Sequence, residues 1–185
     1  MTSITRLDIP EVVLITPPRF ADPRGYFSET YKKSALDAAG LNHVFIQDNE
    51  SLSTVPGIIR GLHFQAPPFS QAKLVRVVSG AIYDVAVDIR KGSPTYGKWV
   101  GATLTAEKGE QLLIPHGFAH AFCTLTPDVR VLYKVDGAYS KASEGGIIWN
   151  DPDLAIDWPV SHALVSEKDE ILPRFKDLDS PFIYA

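Results

Sequence analysis

A chain of 185 residues, 45% apolar and 22% charged, can form one domain burying roughly 70% of its unfolded surface, and its composition excludes a disordered polymer. A net charge of −4 supplies no general field for nucleic acid or an anionic membrane, so an anionic ligand must be met by locally placed basic residues. With Cys123 as the sole cysteine, an intrachain disulfide and a thiolate metal cluster are both excluded.

The segment from Met1 to Pro10 lacks the basic-then-apolar pattern of a secretory signal, and no apolar run reaches the roughly 18 residues of a membrane span. The expectation is therefore a soluble cytoplasmic protein with no nucleic-acid or membrane partner, a single domain over residues 1–185. Val12 to Ile15 predicts a strand. Ser34 to Ala39 predicts a short helix, with Gly40 as its C-terminal stop. Four further runs, Leu74–Val78, Ala81–Ile89, Gln111–Ile114 and Val129–Val135, are short, rich in β-branched residues and bounded by Gly, Pro or Ser. Turns are marked by Pro67-Pro68, Ser79-Gly80, Lys91-Gly92-Ser93-Pro94 and Gly145-Gly146, and the charged run Ser166 to Glu170 predicts one more turn of helix. Many short strands at near-regular spacing indicate a sandwich or closed barrel, with no internal repeat or linker.

Strand parity then groups the chemistry. In Ala81–Ile89, Tyr83, Val85, Val87 and Ile89 share one face, leaving Asp84, Ala86 and Asp88 on the other. Asp84 and Asp88 read equally well as exposed carboxylates, or Asp84 as a lumen residue. His63 shares a face with Gln65, Lys73 with Val75 and Val77, and Tyr133 with Val131 and Val135. If those faces line one lumen, an imidazole, an ammonium and a phenol converge in an apolar cavity. That set suits proton transfer beside a carbonyl, with histidine accepting a carbon-bound proton, lysine holding the enolate oxygen and tyrosine returning a proton. Taken one at a time, a histidine is more often structural, a strand tyrosine packing and a lysine a solvated edge residue.

Two stretches carry a barrel signature. Gly57, five residues and His63 open the first, but Gln65 stands where a second histidine is usual. Lys73 stands where a glutamate is usual, with six residues between it and Gly80. Gly109, five residues, Pro115-x-Gly117, two residues and His120 form the second, with Thr124 where asparagine is usual. Both resemble the cupins, which implies an all-β, cupin-type jelly-roll barrel with a few short helices. An ammonium in place of a carboxylate ligand repels a divalent cation and favours an anion, so no metal and no cofactor is expected. His116 and His120 have the i, i+4 spacing of a helical metal pair, but Pro115 and Gly117 oppose a helix there.

The resemblance extends over nearly the whole chain. Phe20-Ala21-Asp22-Pro23-Arg24-Gly25-Tyr26-Phe27-Ser28-Glu29, Gln47-Asp48-Asn49, Arg60-Gly61-Leu62-His63-Phe64-Gln65 and Gln71-Ala72-Lys73-Leu74-Val75-Arg76 come first. Asp84 to Arg90, Gly92 to Gly97, Ile114 to His120 and Tyr133-Lys134 follow in the same order. Together these resemble the dTDP-4-dehydrorhamnose 3,5-epimerase family. The resemblance implies a homodimer acting on a dTDP-4-keto-6-deoxyhexose without metal. It implies His63 as general base, Tyr133 as general acid, Asp169 as the base's partner and Lys73 near the C4 oxygen. By the same resemblance Arg60, Asp84 and His120 line the cavity, and Arg24, Glu29, Gln47, Asn49, Tyr139, Glu144 and Lys168 hold the nucleotide and diphosphate. Arg24 and Glu29 are expected to reach across the dimer.

The chain departs from the family pattern at His116, where glutamate is frequent, and at Ala121, where glycine is frequent. Asp136-Gly137-Ala138-Tyr139 also replaces a more aromatic stretch. A close alternative is an epimerase acting at C3 or C5 alone on a related 4-keto-6-deoxy nucleotide sugar. A non-catalytic sugar-nucleotide-binding cupin is a more distant one, and a metal-dependent oxygenase would need the missing histidine and glutamate.

Overall fold

A computed structural model describes residues 2–184; Met1 and Ala185, the two ends of the expected domain, lie outside the described residues. The chain runs β1 (Ser3–Arg6), β2 (Val13–Thr16), β3 (Phe20–Asp22), β4 (Gly25–Phe27), α1 (Lys33–Asp37), β5 (Gln47–Ser53), β6 (Ile59–Gln65) and β7 (Lys73–Ser79). It continues through β8 (Ala81–Asp88), β9 (Trp99–Thr105), β10 (Gln111–Ile114), β11 (Phe118–Thr124), β12 (Val129–Val135), β13 (Glu144–Gly146) and α2 (Glu167–Glu170). Every named strand pair is antiparallel. The larger sheet has the order β1-β2-β10-β7-β12-β5 and the smaller one β13-β6-β11-β8-β9. No helix among the described residues is long and apolar enough to cross a membrane.

The two sheets face each other across an apolar core. Val75 and Val77, Val129 and Val131, and Leu112 and Ile114 come from one sheet; Ile82 and Ala86, Val100 and Leu104, and Phe118 and Phe122 come from the other. This is the expected jelly-roll arrangement, and it follows from alternation, since each strand gives its β-branched or aromatic face to the interior. Residues Leu62, Phe64, Val85, Val87 and Ile89 point outward but are not solvated. The C-terminal segment covers them with Ile147, Leu154 and Phe182. With both faces covered, even the two aspartates of Ala81–Ile89, Asp84 and Asp88, are buried.

Several boundaries differ from the sequence expectation by one or two residues. The helix covers Lys33–Asp37 rather than Ser34–Ala39, because Ala38 to Gly40 tighten into a turn whose Gly40 adopts φ +75°. The strand expected over Val12–Ile15 runs Val13–Thr16. The reading of Asp84 and Asp88 as exposed carboxylates does not hold; both are buried. Asp88 is satisfied by Arg90, Ser93 and Thr95, and Asp84 faces the interior.

Candidate active site

The mouth of the barrel is built where β6, β7, β11 and β12 bring their ends together. β6 lies close enough to β11 for His63 to pair in register with His120, and Gly61 makes that approach possible. Gly61 has φ +128°, and a Cβ there would fall 2.5 Å from the carbonyl oxygen of His120 and 2.5 Å from Cβ of Ala121.

His63 is held from below by α2. Ser166 caps this short helix, its Oγ accepting from the backbone N–H of Asp169 at 3.2 Å. The cap turns the buried carboxylate of Asp169 toward β6. There Oδ1 lies 2.6 Å from His63 Nε2, and Oδ2 accepts from the N–H of Gly61 at 3.4 Å. Since a carboxylate only accepts, Nε2 carries the hydrogen and Nδ1 is left as the basic nitrogen. Burial lowers the imidazole pKa below its ordinary value, against the opposing pull of Asp169, with the nearby Lys73 and Lys168 charges adding to the decrease. His63 is therefore neutral near neutral pH.

A second dyad stands beside the first. His120 Nε2 donates to Asp84 Oδ1 at 2.6 Å, and its Nδ1 faces Lys73 Nζ at 3.5 Å. Desolvation depresses the His120 pKa, so this ring too is neutral and presents an acceptor to the ammonium. Desolvation brings the Lys73 pKa down to about 8, with Asp84 opposing the shift. The ammonium remains mainly charged at neutral pH while sitting within range of deprotonation. Tyr133, on β12, has its phenol pushed above the ordinary value by burial, with Arg60 nearby pulling the other way, so it keeps its proton.

His63, Lys73, His120, Tyr133, Arg60 and Asp169 line one inner cavity of about 490 Å³. Asp84 acts on it through His120 rather than by lining it. His63, Lys73, Tyr133 and Lys168 also line an adjoining outer cavity of about 410 Å³, which adds Gln47, Asn49, Tyr139 and Glu144. There Lys168 Nζ pairs with Glu144 Oε2 at 2.8 Å, and the Gln47 amide donates to Asn49 Oδ1 at 2.7 Å. The expected catalytic set and most of the expected nucleotide set thus share one continuous hollow. Arg24 and Glu29 do not join it. Arg24 extends into solvent beside Asp22, and Glu29 pairs with Lys32.

Phe122, Gln71 and Lys141 also line these cavities without having been anticipated. Phe122 was legible, two residues beyond His120 on the same face of β11. Lys141 sits in a helical turn with no motif around it. Another cleft of about 330 Å³, lined by Tyr31, Leu74, Arg76, Leu132 and Lys134 and touched by Tyr133, contains neither imidazole nor buried carboxylate. No group of three or more His, Cys, Asp or Glu residues with metal-holding geometry occurs among the described residues. His63 Nε2 is committed to Asp169 and His120 Nε2 to Asp84, and the Lys73 ammonium lies 3.5 Å from His120 Nδ1.

A family model described as dTDP-4-dehydrorhamnose 3,5-epimerase matches residues 6–177. A dTDP-4-dehydrorhamnose 3,5-epimerase of Sinorhizobium fredii is 49% identical over 180 residues, covering 97% of this chain and 92% of that protein. A Bacillus anthracis dTDP-4-dehydrorhamnose 3,5-epimerase solved with TDP and PPi superposes with a TM-score of 0.92 at 49% identity, covering 94% of this chain and 99% of that one. A Legionella pneumophila dTDP-6-deoxy-D-glucose-3,5-epimerase in complex with dTDP-4-keto-L-rhamnose gives a TM-score of 0.95 at 39% identity, with both chains covered completely.

Proposed function

The chain belongs to the dTDP-4-dehydrorhamnose 3,5-epimerase family, and on that premise we propose that it converts dTDP-4-dehydro-6-deoxy-D-glucose to dTDP-4-dehydro-L-rhamnose by the following route. The C4 ketone acidifies the hydrogens at C3 and C5, because the carbanion left at either carbon delocalises onto oxygen. His63 Nδ1 removes one of them, and the imidazolium so formed is stabilised by Asp169 at 2.6 Å. The Lys73 ammonium, oriented by His120 and Asp84, meets the negative oxygen. A donor in such a position typically contributes about 3–4 kcal/mol. Tyr133 delivers a proton to the opposite face of the carbanion and inverts the centre; the imidazolium then loses its proton to solvent, the phenolate regains one, and the same steps invert the second carbon. Each positioned acid or base adds ~10²–10⁴-fold. The observation that carries this reading is the convergence of His63, Lys73 and Tyr133 on one cavity, with each imidazole there backed by its own buried carboxylate.

The outer cavity suits the nucleotide. Tyr139 offers an exposed ring for the base, and Lys168 offers a cation for the diphosphate. A homodimer completes the site in this reading. The β3–β4 hairpin displays Phe20, Tyr26 and Phe27 on the surface, and Val44, Ile46, Leu52 and Val55 are exposed along and beside the unpaired edge of β5. A second copy that covered these residues would also bring its own Arg24 and Glu29 toward this chain's nucleotide. A nucleotide-sugar substrate and a buried free Cys123 agree with a cytoplasmic location.

Incubation with the 4-keto sugar nucleotide in deuterium oxide, followed by NMR, tests the reading. Label at both C3 and C5 with formation of the L-rhamno product is expected. Label at one carbon would assign single-position epimerisation, and no label would remove the enzyme claim.

A further inference from the structure

Outside the cavities, one carboxylate ties together four separate pieces of the chain. Asp136 directly follows β12. Its Oδ1 accepts from the backbone N–H of Ala72 at 2.7 Å and from His116 Nε2 at 3.0 Å, and its Oδ2 accepts from His43 Nδ1 at 3.0 Å. The two imidazoles meet edge to face, with ring centroids 6.0 Å apart. Burial would raise the carboxyl pKa, but the bonds from His116, His43 and Ala72 outweigh it and hold the group well below the usual carboxylate range. The carboxylate is therefore a charged acceptor for three donors at any pH where the protein works.

Its place in the register gives this cluster a consequence. The β7–β12 ladder ends at Val135 paired with Lys73, and β10 ends at Ile114 paired with the same Lys73. One step further along, Asp136 and Ala72 have no place in the ladder, and the Asp136 side chain bonds the Ala72 N–H instead. His116, just past β10, and His43, ahead of β5, converge on that carboxylate. Beyond it, Gln71 Nε2 donates to the carbonyl of Gly137 at 2.8 Å, and the N–H of Ser140 donates to Gln65 Oε1 at 2.9 Å. The loop from Asp136 to Ser140 is thus fastened to the cavity wall on both sides of Tyr139. Neither His43, His116 nor Asp136 lines either cavity.

We propose that Asp136, gripped by His43 and His116, is a positioning residue that fixes the start of β7 at Lys73 relative to the β12 strand carrying Tyr133 and the loop carrying Tyr139. The cluster adds no group to the reaction. It determines where the ammonium stands relative to the phenol, and misplacement on the scale of 1 Å by a remote change can cost ~10²-fold in rate. This inference rests on the epimerase reading, since it concerns the geometry of that site.

The test uses pairs of variants that keep or remove the hydrogen-bonding atom. The amide nitrogen of glutamine reaches where Nε2 of histidine lies, and that of asparagine where Nδ1 lies. His116→Gln and His43→Asn therefore retain donors, whereas His116→Leu and His43→Leu do not. Asp136→Ala removes all three acceptor contacts. Asp136→Ala and the two leucine variants are expected to lower kcat between ~10- and ~100-fold, while His116→Gln and His43→Asn stay close to wild type. Deuterium wash-in at C3 and C5 should fall with kcat, because a displaced Lys73 no longer stabilises the enolate. Near-UV circular dichroism and Tm are read alongside. If Asp136→Ala does not fold, the His116 pair decides the matter, because that side chain is 48% exposed and its removal leaves no core cavity. Equal activity in the leucine and glutamine variants, or activity that falls only in proportion to Tm, would overturn the positioning role. Wild-type protein without epimerase activity in the same assay would sink the functional reading instead, so the two failures are distinguishable.

Discussion

His63 Nε2 lies 2.6 Å from Asp169 Oδ1, and that contact decides which imidazole nitrogen is free to act as a base. The two residues are 106 positions apart in the chain. They meet because Ser166 caps a single turn of helix and presents Asp169 inward, while Gly61 lets β6 approach β11. Asp169→Asn should therefore fold but lose kcat by on the order of 10²–10⁴-fold, since the amide can donate to Nε2 and stabilise the wrong tautomer. The check is steady-state kinetics with Tm. Activity within twofold of wild type would show that the carboxylate does not set the tautomer, two-fold being small beside even the ~10²-fold expected.

The pH dependence of kcat/KM follows from two depressed pKa values. His63 must be neutral to accept a proton, and burial places its pKa below the ordinary 6.5, so activity is lost only as pH falls beneath that value. Lys73 must be charged, and its pKa is about 8, so activity declines as pH rises past about 8. Tyr133, pushed upward by burial, keeps its proton across this range. A bell with its acid limb below 6.5 and its alkaline limb near 8 is expected. In Lys73→Arg the alkaline limb should disappear from a lower plateau, because a guanidinium does not titrate there. An alkaline limb unchanged in that variant would assign it to another group.

The fold was largely legible where β-branched residues alternate, and less so where strands are polar. Gln47–Ser53 became β5, an edge strand that buries little beyond Ser53, so its residues carry no apolar period. Trp99–Thr105 is interrupted by Gly101, which the Tyr83 ring requires: a Cβ there would lie 2.5 Å from the phenol oxygen. At the site, parity grouped His63, Lys73 and Tyr133 with their strand neighbours without saying which faces look inward, and family motifs supplied Asp169. The Asp136 cluster was not legible. His43, Ala72, His116 and Asp136 come from four segments whose meeting is set by sheet order, and nothing in their local spacing announces it.

Arg24 marks the boundary between what one chain and two chains supply. It lies on the exposed β3–β4 hairpin, outside both cavities. In a dimer that shares its sites, Arg24→Ala should raise KM roughly tenfold or more while leaving kcat little changed, because it removes binding common to ground and transition states. Sedimentation at micromolar concentration should show a dimer for both proteins. A fully active monomer, or an unchanged KM in the variant, would confine the site to one chain.

Removal of one oxygen separates the two proton-transfer roles. In His63→Ala the imidazole that abstracts the carbon-bound proton is gone, so epimerisation and deuterium wash-in should both be abolished. Tyr133→Phe leaves His63, Asp169 and Lys73 untouched, so the enolate still forms. Without a phenolic proton opposite, the imidazolium exchanges with solvent and returns deuterium to the face it came from. Tyr133→Phe should therefore incorporate label at C3 or C5 with little inversion, and its fold should persist because the ring still packs against the interior beside Val131. The measurement is NMR of substrate recovered from deuterium oxide, comparing label with product stereochemistry. If exchange and inversion fall together in Tyr133→Phe, the tyrosine acts in forming the enolate rather than in protonating its far face, and the two-face assignment fails.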